Sequence, residues 1–151
     1  MFSEWLIEML ENDLGKLKNE INLYKDEKDI WIVKGEISNS AGNLCLHLLG
    51  NLNHFIGHLI GGTRYQRDRE LEFSDKNIQR TELNERIDAL IEVIKKSLPK
   101  IKDEDMYKTF PEKVSGKIRE YGFTLIYFTN HFNYHLGQIN YHRRLITGEK
   151  K

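Results

Sequence analysis

The chain contains one cysteine, Cys45, and only two prolines among its 151 residues. A single cysteine excludes an internal disulfide and every zinc motif that is built from several cysteine thiolates. The chain also has no excess of charge of either sign, since 23 basic residues balance 23 acidic ones. Without a net field the surface does not concentrate nucleic acid or anionic lipid. We therefore expect a protein of a reducing compartment that does not bind nucleic acid.

Long hydrophobic runs are absent as well. No stretch approaches the roughly 20 apolar residues that a membrane-spanning helix needs. The segment from Met1 to Trp5 has no basic region followed by an apolar region, as a secretory leader would have. The sequence thus predicts no membrane association and a cytoplasmic location. Its length predicts a single domain, 1–151, with one hydrophobic core.

Apolar residues recur at three- and four-residue steps in four segments, which predicts four amphipathic helices. These segments cover about residues 6–24, 40–60, 81–98 and 114–146. Ser3 is a suitable N-cap for the first helix, and the side chains of Ser38-Asn39-Ser40 suit the start of the second. Gly61-Gly62 and Gly148 are suitable ends for the second and the last. Residues 63–77 and 100–112 show no period and are predicted to be irregular, so the fold class is an all-α bundle.

Polar side chains lie at helical spacing in the last helix. His131, His135 and Gln138 fall on one face, because residues three and four apart are neighbours on a helix. Two imidazoles one turn apart form half of a transition-metal site. A third ligand and an open position for water would complete a site that is capable of chemistry.

The second helix carries the candidates for that third ligand. His47, Asn51, His54 and His58 follow one another at steps of four, three and four residues within an otherwise apolar helix. This stripe is predicted to face the bundle interior, where polar groups need partners. A metal would satisfy several of them, and so would a purely internal hydrogen-bond network. Spacing alone does not distinguish His47 from His54 as the ligand.

The order of these motifs resembles the DinB and YfiT-like superfamily of metal-dependent proteins. The second helix begins Ser-x-Gly-Asn-Leu with a His-Leu step, and the last carries His-x-x-x-His-x-Gly-Gln. The resemblance covers most of the chain. It implies an up-down-down-up or ferritin-like four-helix bundle of the DinB/YfiT type. The segment from Gly61-Gly62 to Phe73 is similar to the loop of a DinB-like branch that has no assigned chemistry.

The resemblance also implies a set of metal ligands. By motif position they are His47 on the second helix and His131 and His135 on the last. Asn51, His54, Gln138 and Arg67 are then expected either to orient these ligands or to bind the substrate.

Three imidazoles suit a divalent transition metal, zinc or nickel first and iron or manganese next. Related branches imply a metal-activated low-molecular-weight thiol or water. We therefore expect an S-transferase or hydrolase that acts on a small-molecule substrate, with a homodimer as its assembly. The alternative is a non-catalytic metal-binding or stress-associated interaction protein.

Overall fold

The computed structural model describes residues 1–150, and the described part consists of helices joined by loops. The α-helices are α1 Phe2–Leu23, α2 Ala41–Leu52, α3 Arg69–Ser74, α4 Arg80–Ser97 and α5 Tyr121–Thr147. Helix α2 continues as a π-helical segment, Asn53–His58. Short 3-10 segments occupy Glu27–Trp31, Leu98–Lys100 and Asp103–Tyr107. The predicted all-α bundle is confirmed, with α1, α2, α4 and α5 as its long helices.

Side-chain contacts between the long helices show the directions in which these helices run. Helix α1 runs parallel to α5, since Asp13 meets Asn133 and Glu20 meets Asn140 further along both helices. Helix α1 runs antiparallel to α4, because Glu11 pairs with Lys95 and Lys18 with Asp88. Helix α2 runs antiparallel to α5, because His47 contacts His131 while Phe55 stacks on Phe128. The bundle is therefore up-down-down-up.

The interior is filled by the apolar stripes that the sequence shows. In α1 the buried residues recur at three- and four-residue steps, Leu6, Leu10, Leu14, Leu17 and Ile21. Helices α4 and α5 also turn buried stripes inward, whereas α2 is buried on every side from Ala41 to Leu52. This arrangement removes apolar surface from water. Among residues 1–150, no helix is both long enough and apolar enough to cross a membrane.

The start of α2 is as predicted, whereas the start of α1 is not. The Ser40 Oγ accepts a hydrogen bond from the Asn43 N–H at 3.1 Å, so Ser40 is the N-cap of α2. Ser3 lies inside α1, buried in its first turn, and the predicted cap at Ser3 is wrong. The helical run ends as predicted after the π-helical continuation of α2, because Gly62 adopts a left-handed conformation with φ of 74°.

The stretch 63–77 contains a helix that the sequence pattern did not predict. Asp68 caps α3 by accepting a hydrogen bond from the Leu71 N–H at 3.1 Å. The helix has six residues, fewer than two turns, so its apolar positions cannot show a period. This short helix matters because it carries Glu72.

The last helix begins at Tyr121 rather than near Val114, so the predicted boundary is wrong. The chain before it folds back on itself, with the Phe110 N–H donating to the Arg119 carbonyl at 2.9 Å. The turn of this hairpin holds Ser115 and Gly116 at φ of 51° and 75°. Left-handed backbone at two successive residues is incompatible with a right-handed helix.

Candidate metal centre

Three histidines meet between α2 and α5. One ring nitrogen from each of His47, His131 and His135 lies within 4.8 Å of the others. The closest pair is His47 Nε2 and His131 Nε2, 3.1 Å apart. The ring centroids are 4.6 to 5.1 Å apart, and the rings are nearly perpendicular to one another. The two predicted motifs therefore form one cluster in the fold.

The spacing of these nitrogens fits a metal ion. Zinc–imidazole bonds are about 2.0–2.1 Å long, so two ligands at a tetrahedral angle have nitrogens roughly 3.3 Å apart. The 3.1 Å between the Nε2 atoms of His47 and His131 is close to that value. No fourth His, Cys, Asp or Glu of residues 1–150 belongs to the cluster. Three imidazoles with no further protein ligand are the donor set of an open site.

The His47 ring is oriented by a carboxylate. His47 Nδ1 donates to Glu72 Oε1 at 2.9 Å, and the side chains of both residues are buried. Because the proton resides on Nδ1, the lone pair of Nε2 points into the cluster. A carboxylate on the far nitrogen is the usual outer partner of a metal-bound imidazole, where it raises ligand basicity and fixes the tautomer.

Glu72 is in turn held by Arg67. The guanidinium donates from Nε to Oε2 and from Nη2 to Oε1, both at 2.8 Å. Burial by itself raises the Glu72 pKa, but the hydrogen bonds from Arg67 and His47 outweigh it and hold that pKa below its usual range. The carboxyl is thus ionised at neutral pH and accepts from both partners.

A glycine makes room for this carboxylate. Gly50 lies on α2 opposite Glu72, and a Cβ at this position would overlap the carboxyl group. The approach of α3 to α2 therefore requires the missing side chain. The His47 ring is thus held by the carboxylate of Glu72, which Arg67 fixes in place and for which Gly50 leaves space.

Gln138 has the corresponding role on α5. His135 Nδ1 donates to Gln138 Oε1 at 2.7 Å, within one turn of the same helix. This hydrogen bond leaves the lone pair on His135 Nε2. Two of the three imidazoles thus have their tautomer fixed with Nε2 as the acceptor.

The surroundings of the α5 histidines favour neutral imidazole. Burial, followed by the charges of His135 and His47, lowers the pKa of His131 from 6.5 to about 4. Burial also lowers the pKa of His135, against the hydrogen bond that His135 donates to Gln138, which raises it. A neutral imidazole is the form that binds a metal.

The other histidines of the predicted stripes lie outside the cluster. His54 Nε2 is 3.1 Å from both carboxylate oxygens of Glu112. His58 bonds the Thr63 carbonyl. His142 is buried beside Tyr24, whose hydroxyl is 2.6 Å from His142 Nδ1. The structure thus groups His47, and not His54, with the α5 pair.

Asn51 lies one turn after His47 on α2. The residue is 8% exposed, and its Oδ1 is buried without a hydrogen-bond partner among residues 1–150. An unpaired buried amide oxygen is unfavourable by about 1–3 kcal/mol. Beside a cluster of imidazole nitrogens, such an oxygen suits a bound water or a ligand N–H.

A four-helix bundle with a three-histidine cluster between its second and last long helices defines the class of this chain, a helical protein with a candidate metal centre. The chain belongs to the family that is described as a protein of unknown function (DUF1572), whose sequence model matches residues 4–151. A comparison with curated proteins found no match.

Proposed function

We propose that the chain is a DinB/YfiT-like protein that binds one divalent metal through His47, His131 and His135, and that this centre is catalytic. The observation that carries the proposal is the cluster itself, with nitrogens within 4.8 Å of one another. The outer hydrogen bonds of Glu72 and Gln138 support it, because they leave Nε2 of two rings free to bind.

The position within the DinB/YfiT superfamily is supported by topology and motif together. The up-down-down-up order places the His-Leu step of α2 beside the His-x-x-x-His-x-Gly-Gln run of α5, as the resemblance implies. Homodimerisation and a cytoplasmic location stay predictions.

A divalent metal, when bound, supplies a Lewis acid that lowers the pKa of water or a thiol toward neutrality. Zinc or nickel suits the imidazole set first, and iron or manganese next. The chain supplies the three nitrogens, lowers the pKa of His131 and His135 by burial, and orients the rings of His47 and His135 through hydrogen bonds. Asn51 adds an acceptor one turn away. These properties favour an S-transferase or hydrolase that uses a low-molecular-weight thiol or water against a small-molecule substrate.

The proposal requires that a small ligand can enter the metal coordination sphere. Protein loaded with Co²⁺ in place of the native metal reports this directly, because its visible absorption changes with the number and kind of ligands. Titration with 2-mercaptoethanol should add a thiolate-to-metal absorption band, and titration with azide should shift the visible bands. The variant His54→Ala should respond as wild type does, since His54 pairs with Glu112 instead.

A Co²⁺ spectrum that stays unchanged with both titrants would contradict a catalytic centre. The remaining function would be the non-catalytic one, a metal-binding or stress-associated interaction protein. If the spectrum does respond, the zinc and nickel forms are assayed with two kinds of substrate. Turnover of an ester indicates a hydrolase, and turnover of an alkyl halide with a low-molecular-weight thiol indicates an S-transferase.

A further inference from the structure

A cleft of about 650 Å³ opens directly beside the histidine cluster. It lies between residues 36–39, the first turn of α2 and the second half of α5. We propose that this cleft binds the body of the substrate, and that it selects a body that is aromatic or aliphatic and carries no negative charge away from the metal. The inference rests on the proposed function, since the cleft is assigned to the substrate of that metal centre.

The position of the cleft relative to the cluster follows from shared residues. His135 lines the cleft and belongs to the cluster, and Gln138 lines the cleft while it orients His135. Leu44, on the opposite wall, precedes His47 by one turn of α2. A compound in the cleft is therefore in contact with a proposed ligand of the metal.

Apolar side chains give the cleft its affinity. Tyr134, Tyr141 and Leu145 line it and remain 65%, 71% and 58% exposed. Large apolar groups that face water around a concavity are favourable sites for an apolar ligand, because burial of their surface is favourable in proportion to area. Aromatic walls also favour flat or aromatic ligand bodies.

The charge of the cleft determines which compounds it accepts. Glu36 lines it and forms no ion pair with another described residue, and no Lys or Arg of residues 1–150 is part of its lining. Away from the metal, a negative charge on the substrate would find a carboxylate and no cation in the lining. Arg67 does not change this balance, because its guanidinium is bound to Glu72. Of the two roles predicted for Arg67, its contacts with Glu72 favour support of a metal ligand over contact with a substrate.

The test uses three probes that share a body and differ in charge, namely 4-phenylbutylamine, 4-phenylbutanol and 4-phenylbutyrate. Isothermal titration of the full-length protein should show binding of the amine and the alcohol. To metal-free protein the butyrate should bind about three- to tenfold more weakly than the amine, because a partly exposed ion pair has a modest energy and no metal is present to attract the carboxylate. Glu36→Gln should bring the amine to the affinity of the alcohol and leave the alcohol unchanged.

A cleft-filling variant locates the binding. Ser38 lines the cleft on an exposed loop, so Ser38→Trp should fold normally and weaken both the amine and the alcohol at least tenfold. The matched control is Ile126→Trp, which places the same ring on an exposed position of α5 away from the cleft. In Co²⁺-loaded protein, the proton resonances of the bound alcohol should broaden relative to the zinc form.

The inference is wrong if no probe binds, if the butyrate binds metal-free protein as tightly as the amine does, or if Ser38→Trp has no larger effect than Ile126→Trp. Probe resonances that do not broaden with Co²⁺ would separate the cleft from the metal and also overturn it. Metal binding without probe binding contradicts only the assignment of the cleft as the site for the substrate body. Probe binding to protein that takes up no metal contradicts only the proposed function.

Discussion

Glu72 Oε1 lies 2.9 Å from His47 Nδ1, at the junction of α3 and α2. This contact joins a short helix, on which Glu72 is the buried residue, to a histidine of the central cluster. Arg67 completes the chain of contacts from the other side of the carboxylate. The orientation of His47 therefore depends on a segment that lies outside the four long helices.

Replacement of the carboxylate tests this dependence. Glu72→Gln should weaken metal affinity about 10- to 100-fold, the range known for outer partners of ligating histidines. It should also reduce the free energy of unfolding by about 3 kcal/mol, because the nearly buried Arg67 loses its counter-ion. Competition with a chromophoric chelator measures the affinity, and urea unfolding measures the stability. Glu70→Gln is the control, since Glu70 is exposed on the same helix and should leave both quantities unchanged.

Gly50 should not tolerate a methyl group. In an ordinary helix Gly→Ala stabilises by about 1 kcal/mol. At Gly50 the new Cβ would overlap the Glu72 carboxyl group and displace it from His47. Gly50→Ala should therefore lower both thermal stability and metal affinity.

Gly137→Ala is the matched substitution for Gly50→Ala. Gly137 lies on α5 between His135 and Gln138, and a Cβ there would meet no atom within 4 Å. This variant should gain stability and bind metal as wild type does. Equal effects of the two substitutions would contradict the role of Gly50 as the space for the carboxylate.

The lowered pKa of His131 predicts a pH dependence of stability. In the unfolded chain the imidazole takes up a proton near pH 6.5, whereas in the folded protein it stays neutral to about pH 4. The unfolded state thus binds more protons in this window, so the free energy of unfolding falls as the pH drops from 6.5 to 4. Below that range this group causes no further loss.

Urea unfolding of metal-free protein between about pH 7 and pH 5 measures this effect. In His131→Gln the decrease in stability should be smaller, with the remainder due in part to His135, whose pKa is also lowered. Glu72 does not interfere, because its lowered pKa places its titration at more acidic pH. An undiminished pH slope in His131→Gln would contradict the neutral state of His131.

Tyr24 is predicted to affect stability and not metal binding. His142 Nε2 donates to the Ile32 carbonyl at 2.7 Å, so its Nδ1 is an acceptor for the Tyr24 hydroxyl. Tyr24→Phe leaves this buried nitrogen unpaired and should reduce the free energy of unfolding by about 1–3 kcal/mol. Thermal and urea unfolding measure the change. Tyr107→Phe, at a position that is 87% exposed, should be neutral. Loss of metal from Tyr24→Phe would contradict a purely structural role.

The sequence predicted the long helices and the motif histidines because these signals are local. Apolar periodicity spans several turns in α1 and α4, and Ser40 caps α2 through a contact three residues away. The i,i+4 spacing of His131 and His135 likewise follows from helix geometry. Such features need no knowledge of distant parts of the chain.

The support of the cluster was not predictable in the same way. Glu72 lies 25 residues from His47, on a helix too short to show a period, and its neighbours give it no distinctive spacing. Only the cap at Asp68 marks that helix in the sequence. In the sequence, His54 falls on the same helix face as His47. The choice between them as the metal ligand depends on which one lies opposite His131 and His135 of α5. Contacts between distant segments determine both points.

The most direct test of the metal centre is elemental mass spectrometry of untagged protein, purified without chelator and without added metal. Wild type and His54→Ala should carry near-stoichiometric zinc or another divalent transition metal. His47→Ala, His131→Ala and His135→Ala should each lose it while circular dichroism shows the helical fold intact. Metal-free wild type that also takes up neither zinc nor nickel would contradict the account, as would retention of metal in all three cluster variants.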